Sequence, residues 1–183
     1  MGNQMFMYAS AYSISKELNR RLYIDDETAF LSKKNVSKFG LNLFNITSPI
    51  APDTLKFKNL SGYIKKKFLI KTDLLRSKKK FYIEKKDRNK ITKYSSDYKN
   101  LVFDNNLFLE GHFESERYFK DYKDEIKGEF KLKNQVSLKK NPYFNEINKL
   151  NSVSICLRQN RFIEGRGQNT SQNKQKSWNF TLE

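Results

Sequence analysis

Apolar positions along this chain recur at helical spacing in some stretches and stand in short contiguous runs in others. Met7, Ala11, Ile14 and Leu18 recur at helical spacing, with Phe6 and Ala9 widening the stripe, and predict a helix over residues 4–19. Asn19-Arg20-Arg21 closes it with a polar stop and cations suited to the negative end of the helix dipole. Leu22-Tyr23-Ile24-Asp25 reads as a short buried strand. A glycine turn, a helix and a strand in that order form the back two-thirds of a βαβ unit, so an apolar strand is expected immediately before Gly2.

Further along, Phe39, Leu41, Leu43, Phe44 and Ile46 sit among turn formers and predict a short irregular segment, and Pro49 to Pro52 reads as a linker-like break. Residues 56–93 carry 15 Lys and Arg against three acids (Asp73, Glu84 and Asp87), a net of +12. Tyr63, Ile64, Phe68, Leu69, Leu74 and Leu75 lie among those lysines, predicting one or two amphipathic helices with a wide cationic face, followed by a Phe81-Tyr82-Ile83 strand. Leu101-Val102-Phe103 and Leu107-Phe108-Leu109 flank a turn predicted at Asp104-Asn105-Asn106. From Ser115, a plausible N-cap, the residues Tyr118, Phe119, Tyr122 and Ile126 follow helical spacing. Tyr143 to Ile147 predicts a short helix or a connector, Ser152 to Leu157 an apolar strand of the parallel-sheet kind, and residues 163–177 a loop.

Composition narrows the class. The 183 residues suffice for one ordinary domain or one and a half small ones. Hydrophobic residues at 37% and aromatics at 14% supply a real core. The net charge of +16 invites nucleic-acid or membrane-surface partners. Yet 28 of the 36 basic residues are Lys, among much Asn and Ile, the bias of an AT-rich genome. The single Cys156 excludes an internal disulfide, and with only His112 beside it a Cys/His zinc site is excluded too. No apolar run is long enough to span a bilayer and no signal-peptide pattern is recognisable, so the expected location is cytoplasmic.

Three stretches carry candidate chemistry. Gly2-Asn3-Gln4 opens a helix, where free N–H groups and the positive dipole end suit an anion and the two amides suit hydroxyls or phosphate oxygens. Glu110 to Phe119 mixes polar and aromatic groups: His112, Glu114, Ser115 and Glu116 suit sugar hydroxyls, Phe113 or Tyr118 a sugar face, and a carboxylate here the role of general base. For each of them a structural role, as cap, dipole partner or core anchor, is an equal alternative. Arg158 follows an apolar strand, where open α/β sheets place ligand groups, with Arg161 and Arg166 in the loop beyond. An arginine fork suits a diphosphate, and a solvated loop arginine is the alternative. Cys156 lies in that predicted strand with no neighbouring His, which argues against a nucleophile.

The order of these stretches resembles glycosyltransferase family 11, the bacterial α-1,2-fucosyltransferases. Gly2-Asn3-Gln4-Met5-Phe6 matches the second half of the family's opening Gly-x-x-Gly-Asn-Gln-Met-Phe turn. Leu109 to Phe119 follows its Leu-x-Gly-Tyr/Phe-x-Gln-Ser-Glu-x-Tyr-Phe segment, with Glu114 at the Gln position. Cys156-Leu157-Arg158-Gln159-Asn160-Arg161 stands where the family carries His-x-Arg-Arg-x-Asp, keeping the first Arg alone. The resemblance implies an α/β fold of GT-B type with two Rossmann-like domains. The acceptor-side domain would span 1–150 with a basic helical insertion at about 56–93, and 151–183 would open the donor-binding domain, the chain being cut short at both ends.

The same resemblance implies GDP-fucose as donor, inversion at the sugar carbon, no metal or other cofactor, and a glycan or lipid-linked oligosaccharide acceptor in surface polysaccharide or O-antigen synthesis. It implies Arg158 as the residue on the donor diphosphate. Set beside the chemistry of the three stretches, that makes Arg158 and Asn3 the catalytic candidates, Gly2, Asn3, Gln4, Arg158, Gln159 and Arg161 the donor set, and His112, Glu114, Ser115 and Glu116 the acceptor side, with Glu114 or Glu116 as candidate base. The 56–93 charge reads first as a solvated face; a second reading from it is a basic peripheral-membrane or nucleic-acid-binding module without catalysis. Of these two partners the inner face of a bacterial cytoplasmic membrane is favoured, since no nucleic-acid-binding signature is visible.

Overall fold

The computed structural model describes residues 2–28, 39–85, 93–134, 143–149 and 151. The chain divides into two compact units, Met1–Gln135 and Val136–Glu183. The first helix forms as α1, Gly2–Glu17, with only part of the expected stripe inward, Ala9 and Ile14. Tyr8, Ala9, Ser10, Ser13 and Ile14 are buried, while Phe6 and Met7 of the expected stripe are exposed. The small serines let α1 approach a neighbouring loop closely, and burial of large side chains proceeds from both flanks of the helix. On one flank Ile14 joins Tyr82, Tyr98, Phe113 and Tyr118, and on the other Tyr8 joins Leu41 and Phe44. Asn19 ends the helix with φ 50°, the left-handed cap that Asn tolerates, and the Arg20 N–H reaches back to the Ser15 carbonyl at 2.8 Å.

The strand expected at Leu22–Asp25 reduces to one parallel bridge, Ile24 to Ile50. The segment expected to be a linker, Pro49 to Pro52, is its partner. The Pro49 carbonyl accepts the Ile24 N–H at 2.9 Å, and the Ala51 N–H donates to the Ile24 carbonyl at 2.8 Å. Proline lacks a donor but keeps its acceptor, so a proline-flanked stretch still supports a bridge.

The basic stretch supplies α2, Asn59–Asp73, and β1, Lys79–Ile83. Strand β2, Phe103–Glu110, pairs with β1 in parallel. The expected turn at Asp104-Asn105-Asn106 lies inside β2. The register jumps there, from Lys79 opposite Phe103 to Phe81 opposite Phe108. Carbonyls without a ladder partner need another donor, and the Arg20 guanidinium provides it, reaching the oxygens of Phe103, Asp104 and Asn105 at 3.3, 2.7 and 3.1 Å. Each sheet face meets its own aromatic cluster. Phe81 packs on Phe57 and Phe108, with ring centroids 6.2 and 5.2 Å away, and Tyr82 joins the α1 cluster.

The helix expected from Ser115 is broken. Single 3-10 turns at Glu116–Tyr118 and Lys120–Tyr122 precede α3, Lys123–Glu129. Phe119 interrupts at φ −134°, its ring placed 5.8 Å from that of Phe6. In the second unit the expected short helix forms as α4, Phe144–Lys149. The first unit is thus a mixed α/β structure with a two-stranded parallel sheet. Among the described residues no helix is long and apolar enough to cross a membrane.

Candidate functional site at the carboxyl end of the sheet

Because β1 and β2 are parallel, their carboxyl ends open at the same edge, where Ile83 lies opposite Glu110. The Glu84 N–H extends the ladder by one bond to the Glu110 carbonyl at 2.8 Å. The Glu84 side chain then turns inward and is buried. Its Oε2 accepts the N–H of His112 at 2.8 Å and of Phe113 at 3.0 Å. Gly111 makes room for this brace: a Cβ there would stand 2.4 Å from the Glu84 Cβ. Phe113 takes φ 50°, an uncommon conformation for a bulky residue. Its carbonyl is held from the other side by the Ser10 hydroxyl of α1 at 3.1 Å. The loop carrying His112 to Glu116 is therefore pinned by a carboxylate from β1 and a hydroxyl from α1.

On this loop His112, Glu114 and Glu116 are exposed and Ser115 is half-buried. Glu116 lies 3.7 Å from Lys123. Ser115 occupies the N-cap position of the 3-10 turn without a side-chain capping bond. Phe113 and Tyr118 do not face outward for stacking on a sugar, because both are core residues. The Tyr118 ring lies 5.3 Å from that of Phe113, and its hydroxyl accepts the Ser95 N–H at 3.1 Å.

Helix α1 runs antiparallel to β2. Arg20 grips the amino end of the strand, Ser10 meets Phe113, and Phe6 meets Phe119 beyond the carboxyl end. The first turn of α1 lies one turn past Phe6, so Gly2 and Asn3, both exposed, sit at the same end of the fold as His112 to Glu116. Gln4 has a structural bond there: its side-chain oxygen accepts the Gly40 N–H at 2.9 Å. Arg158, Gln159 and Arg161, with Cys156 and the strand expected at 152–157, lie outside the described residues. The first two stretches touch through the rings of Phe6 and Phe119. No protein-family model, curated protein or solved structure matches this chain. Among the described residues no group of three or more His, Cys, Asp or Glu side chains could hold a metal ion.

Charge near the site is arranged in pairs. Lys66 of α2 reaches Glu110 at 2.8 Å. Asp97, on the connection between the strands, accepts the Tyr82 hydroxyl at 2.6 Å and pairs with Lys85. Burial alone would raise the Asp97 carboxyl, but the bonds from Lys85, Tyr82 and Ser95 outweigh it and hold it at about 2. A depressed carboxyl contributes stability that is present above its unfolded value near 4 and lost as pH falls towards 2. Wild type is expected to lose about 1–2 kcal/mol across that interval through this group, after allowance for solvent screening. Urea midpoints of Asp97→Asn should lack that step, and parallel acid limbs in the two proteins would count against the assignment.

Glu84 and Ser10 were not among the sequence candidates, yet they position the loop. Their signals were faint. Glu84 is a lone acid directly after an apolar strand in a basic stretch, and Ser10 with Ser13 is a pair of small residues inside a helix. Asp73 repeats the first pattern, for it is buried and accepts the N–H groups of Lys80 and Phe81 at 2.8 and 3.1 Å.

Proposed function

We propose that this chain serves as a nucleotide-sugar transferase that moves fucose from GDP-fucose to a galactoside hydroxyl, with the two-domain GT-B organisation of glycosyltransferase family 11. The supporting observation is the contact of two stretches over 100 residues apart, α1 through Ser10 and Phe6 with the loop through Phe113 and Phe119, at the carboxyl end of a parallel sheet. Open α/β sheets bind ligands at that edge. The rigid brace by Glu84 and Ser10 supports it further, since a transfer site needs fixed groups.

In this reading the acceptor hydroxyl oxygen attacks the sugar carbon from the face opposite the diphosphate. Glu114 or Glu116 takes its proton as the carbon–oxygen bond to GDP breaks. Arg158, with Gln159 and Arg161 beside it, balances the charge on the departing diphosphate. The amide of Asn3 and the free N–H groups of the α1 start position the donor, and His112 and Ser115 hold the acceptor.

A second reading, a basic peripheral-membrane module, draws on the exposed face of α2 and is compatible with the first. A nucleic-acid module is less favoured. Lys56, Lys58, Lys66, Arg76, Lys80 and Lys85 are already engaged with carboxylates of the same chain.

Calorimetric titration with GDP tests the proposal. Charge-assisted bonds of this kind predict that Arg158→Ala weakens GDP binding roughly ten- to hundredfold, with loss of fucosyl transfer to a galactoside. Equal GDP affinity in both proteins would sink the reading.

A further inference from the structure

Helix α2 is covered on one side and bare on the other. Its inner side is tied down by Asp73 and closes on Phe57 at Gly62, where a Cβ would come within 2.7 Å of the Phe57 carbonyl carbon. On its outer side Leu60, Ile64 and Phe68, spaced four residues apart, form one stripe with exposures of 73%, 59% and 65%. Leu74 and Leu75 follow at the helix exit, 82% and 92% exposed. Single exposed leucines are ordinary, but five large apolar side chains along one element make a patch that marks an interaction surface.

Charge selects the occupant. Lys67 and Lys71 fall on the apolar stripe by helical spacing, Lys65 flanks it, and Lys78 follows the exit. Lys67 lies 4.6 Å over the exposed Tyr63 ring. Lys65, Lys71 and Lys78 make no ion pair with described residues, in contrast to their neighbours Lys66 and Lys80. The helix's one acid, Asp73, is turned inward. The outer face is therefore apolar and cationic, with no anion. A second copy would set lysine against lysine, and a nucleic acid would leave the leucines and the phenylalanine unused.

We propose that α2 is an interfacial helix that seats this unit on an anionic lipid surface. Leu60, Ile64 and Phe68 enter the boundary between headgroups and acyl chains, and Lys65, Lys67 and Lys71 extend along their own stems to lipid phosphates. The inference rests on and deepens the peripheral-membrane reading and does not depend on the donor reading.

Co-sedimentation of the full chain with vesicles tests it, comparing phosphatidylcholine alone with phosphatidylcholine carrying about one-third phosphatidylglycerol. Binding is expected to the anionic vesicles, to weaken several-fold between about 0.05 and 0.5 M salt, and to be at least about tenfold weaker on neutral ones. Paired changes Ile64→Asp and Phe68→Asp should lower partition at least about tenfold with an unchanged far-UV spectrum, the side chains being exposed. Lys67→Glu with Lys71→Glu, which keeps the apolar stripe, should lower it as well. The proposal is overturned if the aspartate variant binds like wild type, or if neutral vesicles bind equally. It is also overturned if the aspartates convert a lipid-free dimer to a monomer, or if oligonucleotide binding survives them while the glutamates abolish it. GDP affinity, read separately, stays with the transferase reading whichever way the vesicles fall.

Discussion

Glu84→Ala is expected to lower the free energy of unfolding by about 3–5 kcal/mol. The substitution removes the acceptor of two main-chain donors, the N–H groups of His112 and Phe113. Each donor left without a partner in a buried position costs about 1–3 kcal/mol. Truncation also empties the space against which Gly111 is packed. Against a typical total of about 5–15 kcal/mol this is a large share. Urea titration should show it as a lower midpoint at unchanged slope. Glu84→Gln keeps one side-chain oxygen at the same reach and should cost about 1–2 kcal/mol. If alanine and glutamine prove equally mild, the carboxylate is not what holds the loop. The position matters beyond stability, because the loop it braces presents His112, Glu114 and Glu116 to solvent.

Glu129→Ala should cost about 3–4 kcal/mol for a related reason at the other core. This buried carboxylate ends α3 and makes no ion pair with a described residue. Instead it accepts the Tyr8 hydroxyl, the Thr47 N–H and the Thr47 hydroxyl, each at 2.7 Å. One side chain thereby joins α1, α3 and the segment around Thr47. Burial pushes the Tyr8 phenol above its ordinary range, so it remains a donor throughout the working pH range. Tyr8→Phe alone should be milder, about 1–1.5 kcal/mol. A double-mutant cycle between Tyr8→Phe and Glu129→Ala should return a coupling of about 1 kcal/mol or more. Strict additivity would mean that the bond contributes nothing to folding.

Both predictions concern carboxylates whose partners are main-chain N–H groups or hydroxyls far along the chain, and such partners leave no trace in a residue pattern. Read as sequence, Glu84 and Asp73 were merely the acids of a strongly basic stretch. Their function came from burial beside strand ends and helix ends whose donors had no other acceptor. The candidate loop shows the same division. That His112, Glu114 and Glu116 would be available for polar chemistry was legible, and they are exposed. That Phe113 and Tyr118 would be withdrawn into the core was not, because an aromatic near polar residues reads equally well as a stacking platform or as an anchor.

Local pattern alone indicated the main elements: a helix at 4–19, found at 2–17, helical character within 56–93, where α2 forms at 59–73, and a strand at 81–83, found within 79–83. Each rests on apolar spacing within one element or on short-range turn residues, so neighbours in sequence suffice. Tertiary structure decided the rest. It buried Tyr8, Ser10 and Ser13 of α1 alongside the expected Ala9 and Ile14, the small serines fitting a close approach. It carried β2 through Asp104 to Asn106, because Arg20, over 80 residues earlier, supplied donors to the carbonyls that the bulge left without partners. It also laid α1 antiparallel to β2, bringing Gly2-Asn3 to the end of the fold that carries His112 to Glu116. Those outcomes depend on satisfying polar groups and packing surfaces across long chain separations, where local preference is silent.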